Sequence, residues 1–157
     1  MAAHIRRVVT GHDDDGKAII ESDQDTELGS LRPGTNGGVM WTTESFPVDN
    51  SGHEDTAGRT TGTTLANGTV FRIVEFGPGN GPRVHRTDSI DYAVVMSGEI
   101  DMEMDGQVIH LKDGDVLVQR GTIHNWVNNG SEPCRIAFVL IDAKPVSPGG
   151  KVLSATG

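Results

Sequence analysis

The sequence has one cysteine, few aromatic residues (4%), few basic residues and no long hydrophobic run, and each shortage closes off a class of protein. A lone Cys134 cannot form an internal disulfide, and its place in the apolar stretch CRIAFVLI marks it as a buried, inert thiol. The longest apolar runs are strand-sized, far short of the roughly 20 residues a membrane-spanning helix needs. Thirteen lysines and arginines against 22 acids give a formal charge of −9. That balance repels phosphate backbones and anionic membrane surfaces, and no local basic patch offsets it, so neither nucleic acid nor membrane is expected as a partner. The opening MAAHIRRVV lacks the apolar core of a secretory signal, and the expectation is a cytoplasmic protein.

What the chain has in quantity is glycine, 21 residues, set between short apolar stretches. That is the composition of a loop-rich β protein, and 157 residues suffice for one self-contained core. Between Pro82 and Asn128 the strand grammar is clearest. IDYAVVMS is broken by Gly98, EIDMEM alternates strictly, Asp105-Gly106 is a two-residue hairpin signal, and QVIHL resumes the alternation. A turn at Lys112 to Asp115, the strand VLVQ and the segment HNWVNN follow. Strands this short and this tightly joined run antiparallel.

Upstream, His4 to Thr10 and Lys17 to Ser22 flank a turn containing Asp13-Asp14-Asp15. These aspartates lack the spaced order of a calcium loop, so the turn, with His12, reads as a solvated hairpin tip. Arg32 to Gly38 reads as a loop, GGVMWTTES as a strand carrying Trp41 as a core or dimer-interface anchor, and Pro47 to Gly68 as a long polar loop with His53 and Glu54 exposed. Three regions of one structural domain result: N-terminal strands and a loop over 1–68 that pack on the barrel or on a dimer partner, a barrel over 69–143, and an extended or partly disordered tail over 144–157.

The alternation within the barrel assigns faces. In TVFRIVEF, Arg72 lies in phase with Val70, Val74 and Phe76, and whether that face looks into a cavity is open. In IDYAVVMS both faces are apolar, which predicts a strand buried on both sides. Tyr92 points away from Asp91 and is structural. Met102 and Met104 face inward from EIDMEM, while His110 is in phase with Val108 and is structural.

His85, Asp91 and His124 supply two imidazoles and a carboxylate, donors a divalent metal accepts, from three separate strands. Their surroundings resemble the two consecutive motifs of the cupin superfamily. The first reads His-x-His, three or four residues, Glu, six residues, Gly, and here His85-Arg86-Thr87 is followed by three residues, Asp91, six residues and Gly98. The second reads Gly, about five residues, Pro-x-Gly-x-x-His-x-x-x-Asn. Here Gly114 is followed by four residues, Gln119-Arg120-Gly121-Thr122-Ile123-His124, three residues and Asn128. Thr87 replaces the second histidine, Asp91 the glutamate and Gln119 the proline.

The resemblance implies an all-β jelly-roll barrel, a homodimer, and a small-molecule enzyme with its site in the barrel. It also implies one divalent metal (iron, manganese, nickel or zinc) on His85, Asp91 and His124, serving dioxygenase, decarboxylase or isomerase chemistry. Two alternatives stand beside it. One is a metal-free isomerase or cyclase using the same residues as acids and bases, and the other is a barrel that binds a small molecule without turning it over. Arg72, Gln119 and Trp126 are candidates for the pocket wall, and Arg83 and Arg86, flanking His85, are candidates for gripping an anionic substrate.

Overall fold

Nearly every stretch with a period of two is a strand in the computed structural model, which describes residues 2–59 and 61–157. Among the described residues the strands are β1 (His4–His12), β2 (Ala18–Glu27), β3 (Gly29–Arg32), β4 (Thr35–Thr43), β5 (Thr69–Phe76), β6 (Ser89–Ser97), β7 (Glu99–Met104), β8 (Gln107–Lys112), β9 (Val116–Arg120), β10 (Asn125–Val127) and β11 (Cys134–Asp142). All pairings are antiparallel. A six-stranded sheet in the order β3-β4-β5-β11-β6-β9 faces a three-stranded sheet β10-β7-β8, and β1 and β2 form a separate hairpin. This is the all-β jelly roll. No helix among the described residues is long and apolar enough to cross a membrane.

The core lies between the two sheets. Val70, Val74, Phe76, Ala93, Val95, Ile136 and Phe138 from the larger sheet meet Ile100, Met102, Leu111 and Trp126 from the smaller one. A second cluster, Ala3, Leu28, Met40 and Ile73, seats the N-terminal hairpin on the outer side of β4 and β5. The turn from β6 to β7 depends on Gly98, whose φ is +79° and where an added Cβ would lie 2.5 Å from the Pro133 carbonyl oxygen.

Three expectations change: the loop at 35–38, the length of β2 and the burial of β6. Residues 35–38, read as loop, belong to β4, and β2 runs on to Glu27. The Gly37-Gly38 pair hides the strand from propensity rules. It is there because the chain passes close to its neighbours: a Cβ on Gly37 would lie 2.6 Å from Leu31 Cδ1 and 3.0 Å from the Ile73 carbonyl oxygen. Strand β6 is buried on one face alone, with Tyr92, Val94 and Met96 each 45–50% exposed, because no element among the described residues covers its outer side. The tail after Lys144 is extended, one of the two expected forms, and pinned by bridges. Val146 pairs with Leu153, and Arg86 and Thr156 exchange backbone hydrogen bonds of 2.9 and 3.0 Å. Within the long polar loop, Thr56 bonds the backbone of Thr42 and Asp55 pairs with the buried Arg7, so its middle is anchored.

Candidate functional site

His85 and His124 face each other across two strands. Their backbones exchange hydrogen bonds of 3.0 and 2.9 Å, which brings the ring centroids to 4.2 Å with the planes tilted by 52°. Each ring is fixed in the same way. Nδ1 of His85 donates to the Arg83 carbonyl oxygen at 2.9 Å, and Nδ1 of His124 donates to that of Thr122 at 2.9 Å. A carbonyl can only accept, so the proton of the neutral ring sits on Nδ1 and the Nε2 lone pair is left free. Burial lowers the pKa of both, with the charge of Arg83 adding to the effect, and for His124, which also feels His85, the value falls to about 4. Both are neutral bases at physiological pH. Trp126 meets the His124 ring edge to face at 6.0 Å and packs against Phe76 and Phe138 at 6.0 and 5.7 Å, tying the imidazole to the core.

Asp91 enters from the inner face of β6 and is 4% exposed. Its Oδ1 accepts from Ser89 Oγ at 2.5 Å, and that hydroxyl is bonded in turn to Thr87 Oγ1 at 2.7 Å. Burial raises the Asp91 pKa against the opposing pull of the Ser89 hydrogen bond, so its protonated form is favoured over that of an ordinary carboxyl.

His85, Asp91 and His124 line one cavity of about 70 Å³. On the same measure a water molecule takes roughly 10–15 Å³, so the space suits several waters or one small group of a ligand. Arg72 and Trp126, two of the candidates for the pocket wall, line it. Gln119 is not. It is the cross-strand neighbour of Asp91, but its amide turns toward Thr122 at 3.4 Å and its buried Oε1 has no partner. Arg83 lines the cavity, whereas Arg86 donates Nε to the Gly121 carbonyl oxygen. Arg32, Thr35 and Thr63 also line it, all from the region before the barrel.

A sequence profile of the Cupin domain matches residues 72–141. The cupin-domain-containing oxidoreductase fogC of Aspergillus ruber is 35% identical over 160 residues, spanning 95% of this chain and 78% of that protein. The chain belongs to the cupin superfamily. Phomopsin biosynthesis cluster protein C' of Diaporthe leptostromiformis is 37% identical over 157 residues, 94% of this chain and 83% of that one. Among solved structures, KdgF from Halomonas sp. superposes with a TM-score of 0.52 at 16% identity, covering 74% of this chain and 86% of that one, which is a likeness of fold.

As a cupin the chain departs from the metal-binding pattern where it matters for coordination. The two Nε2 lone pairs suit a divalent ion. The third donor does not join them: Asp91 is held by Ser89, and no group of three histidine, cysteine or carboxylate side chains among the described residues is placed to hold a metal. Three guanidiniums on the same wall oppose a cation further. The residues present therefore do not form the three-donor set that the motif spacing implied.

The depressed pKa of His124 has a consequence for stability. The unfolded chain takes up a proton there near the ordinary value of 6.5, while the folded protein does so near 4. Between those values the folded state binds fewer protons, so stability falls as the pH is lowered through the window, by about 3 kcal/mol for this group. His85 acts in the same direction and Asp91 in the opposite one. Melting temperatures in EDTA are expected to drop between pH 7 and pH 4.5, and to drop less in His124→Leu. An equal drop in the two proteins would contradict the assignment.

Proposed function

We propose that this cupin is a small-molecule enzyme of a biosynthetic pathway that works by proton transfer in the barrel cavity. His85 and His124 act as bases through Nε2, and Asp91 acts as the acid. The observation that carries the reading is the opposed effect of burial on groups that share one cavity, lowering the two imidazoles and raising the carboxyl. Neutral imidazoles with free lone pairs face the same small space as a carboxyl whose proton is favoured. Shifts of opposite sign bring the two kinds of group toward a common range, where a proton can pass either way, which suits isomerisation, cyclisation or decarboxylation. The Ser89–Thr87 hydroxyl chain orients Asp91 and offers a route for its proton. The names of the relatives support a biosynthetic setting, one being a phomopsin cluster protein.

A second reading has an observation of its own. The free Nε2 atoms of both histidines would hold a divalent metal, with Asp91 as the third ligand after leaving Ser89, and the ion would supply Lewis-acid or redox chemistry in keeping with the name of fogC. A homodimer belongs to either reading, supported by the uncovered apolar outer face of β6 and β9.

The test is deletion of the gene in its source organism followed by untargeted mass spectrometry. A substrate is expected to accumulate and to be consumed by the purified protein, with activity kept after EDTA dialysis. Unchanged metabolite profiles would refute the enzyme. Activity lost on dialysis and restored by one divalent ion would replace the proton-transfer reading with the metal one.

A further inference from the structure

The charge of the cavity is opposite to that of the chain. A protein of net charge −9 places three of its 13 basic residues, Arg32, Arg72 and Arg83, on the wall of a single small cavity. They arrive from separate places: the end of β3, the middle of β5 and the segment before His85. Of the six arginines elsewhere, four are matched by acids. Arg6 pairs with Asp23, Arg7 with Asp55, Arg59 with Glu44 and Glu54, and Arg135 with Glu75. Among the described residues no carboxylate lies within ion-pair distance of Arg32, Arg72 or Arg83. Both Arg32 and Arg72 bury an Nε that has no hydrogen-bond partner. Asp91, the one acidic side chain on the wall, is already held by Ser89.

Such an arrangement is costly unless something completes it. Burial disfavours the guanidinium charges of Arg32 and Arg72, and the charge of Arg83 adds to the effect on both. A buried donor without an acceptor forfeits its hydration for nothing in return. A bound anion removes all three penalties together. The fork of N–H groups on a guanidinium matches the two coplanar oxygens of a carboxylate, and the space is of the size of such a group. Val74, Phe76, Trp126, Phe138 and Leu140 add an apolar side to the wall, suited to a hydrocarbon body.

We propose that Arg32, Arg72 and Arg83 form the docking site for the carboxylate of an apolar-bodied organic acid, held with its hydrocarbon part against Trp126 and Phe138. The inference rests on the cavity being the enzyme's site, as read above, and it names the class of substrate that site takes. It also gives the region before the barrel a part in recognition, since Arg32 comes from β3.

The test uses benzoate, benzamide and phenyl phosphate as probes, titrated calorimetrically into the full chain in EDTA so that no metal can hold the carboxylate. Benzoate is expected to bind at least tenfold more tightly than benzamide and to weaken as salt is raised. Arg72→Gln and, separately, Arg83→Gln are expected to weaken benzoate by tenfold or more and to leave benzamide unchanged, with circular dichroism confirming the fold. Arg83 lies outside the strands, so its variant keeps the test valid if Arg72→Gln misfolds. Equal binding of benzoate and benzamide, or no binding of benzoate, would overturn the proposal. Tighter binding of phenyl phosphate would overturn the choice of a carboxylate. None of these readouts requires turnover, so a failed metabolite experiment and a failed binding experiment point to different errors.

Discussion

Asn128→Ala is expected to destabilise the protein by about 3–5 kcal/mol, the largest loss from a single polar side chain here. Asn128 is fully buried, and each of its polar atoms is used. Nδ2 donates to the carbonyl oxygens of Phe76 and Glu132 at 2.9 and 2.8 Å, and Oδ1 accepts from the Gly130 amide at 2.9 Å. Its backbone amide donates to Asn80 Oδ1 at 2.8 Å, while Asn80 Nδ2 donates to the Trp126 carbonyl oxygen at 2.9 Å. The pair of asparagines therefore stitches the end of β5 and the turn after it to the exit of β10, the strand that follows His124. Truncation strands three backbone groups, each worth about 1–3 kcal/mol when buried, with water reaching those nearest the loop. Asn128→Asp separates this account from a simple loss of volume. It keeps the size and the acceptor for Gly130 but aims oxygen at two carbonyls, so it is expected to be at least as harmful as alanine. Urea unfolding is the measurement, with a fall in melting temperature of roughly 10 °C alongside. A loss below 1 kcal/mol for either variant would show the network to be dispensable.

How far the sequence reached is clearest at particular residues. The alternation and turn glycines gave short antiparallel strands, and the jelly roll came from the resemblance of the stretches His85 to Gly98 and Gly114 to Asn128 to the cupin motifs. The same periodicity set Arg72 in phase with Val70 and Val74 and left open whether that face looks into the cavity. It could not place Arg32, some 50 residues before the first motif in a Pro-Gly turn, since its neighbours are chosen by the pairing of β3, β4 and β5 and not by any local pattern. Nor could it show that Ser89 engages Asp91: a period of two says which side chains share a face, and nothing about which of them bond. Strand β6 failed for a related reason. Apolar residues on both faces imply something to cover each, and the covering of the outer face is not supplied by the described residues.

His124→Ala is expected to lower kcat/KM by 10²–10⁴-fold for the metabolite that accumulates on deletion, the range for loss of one positioned acid or base. The fold should survive the change. The bridge to His85 runs through backbone atoms, and the alanine keeps both of those hydrogen bonds. What disappears is the Nε2 lone pair and the ring on which Trp126 rests. A purely structural role would give the same loss in any variant that disturbs the packing, so the pH profile is the sharper readout. An unperturbed histidine base would lose activity as the pH falls through 6.5. With its pKa near 4, His124 stays neutral and active well below that value, and the acid limb of kcat/KM is expected near pH 4–5. If the limb lies near 6.5, or if His124→Ala retains more than a tenth of the activity, the base is another group. His85, with its own free Nε2 and a ring centroid 4.2 Å away, would then be the first to replace.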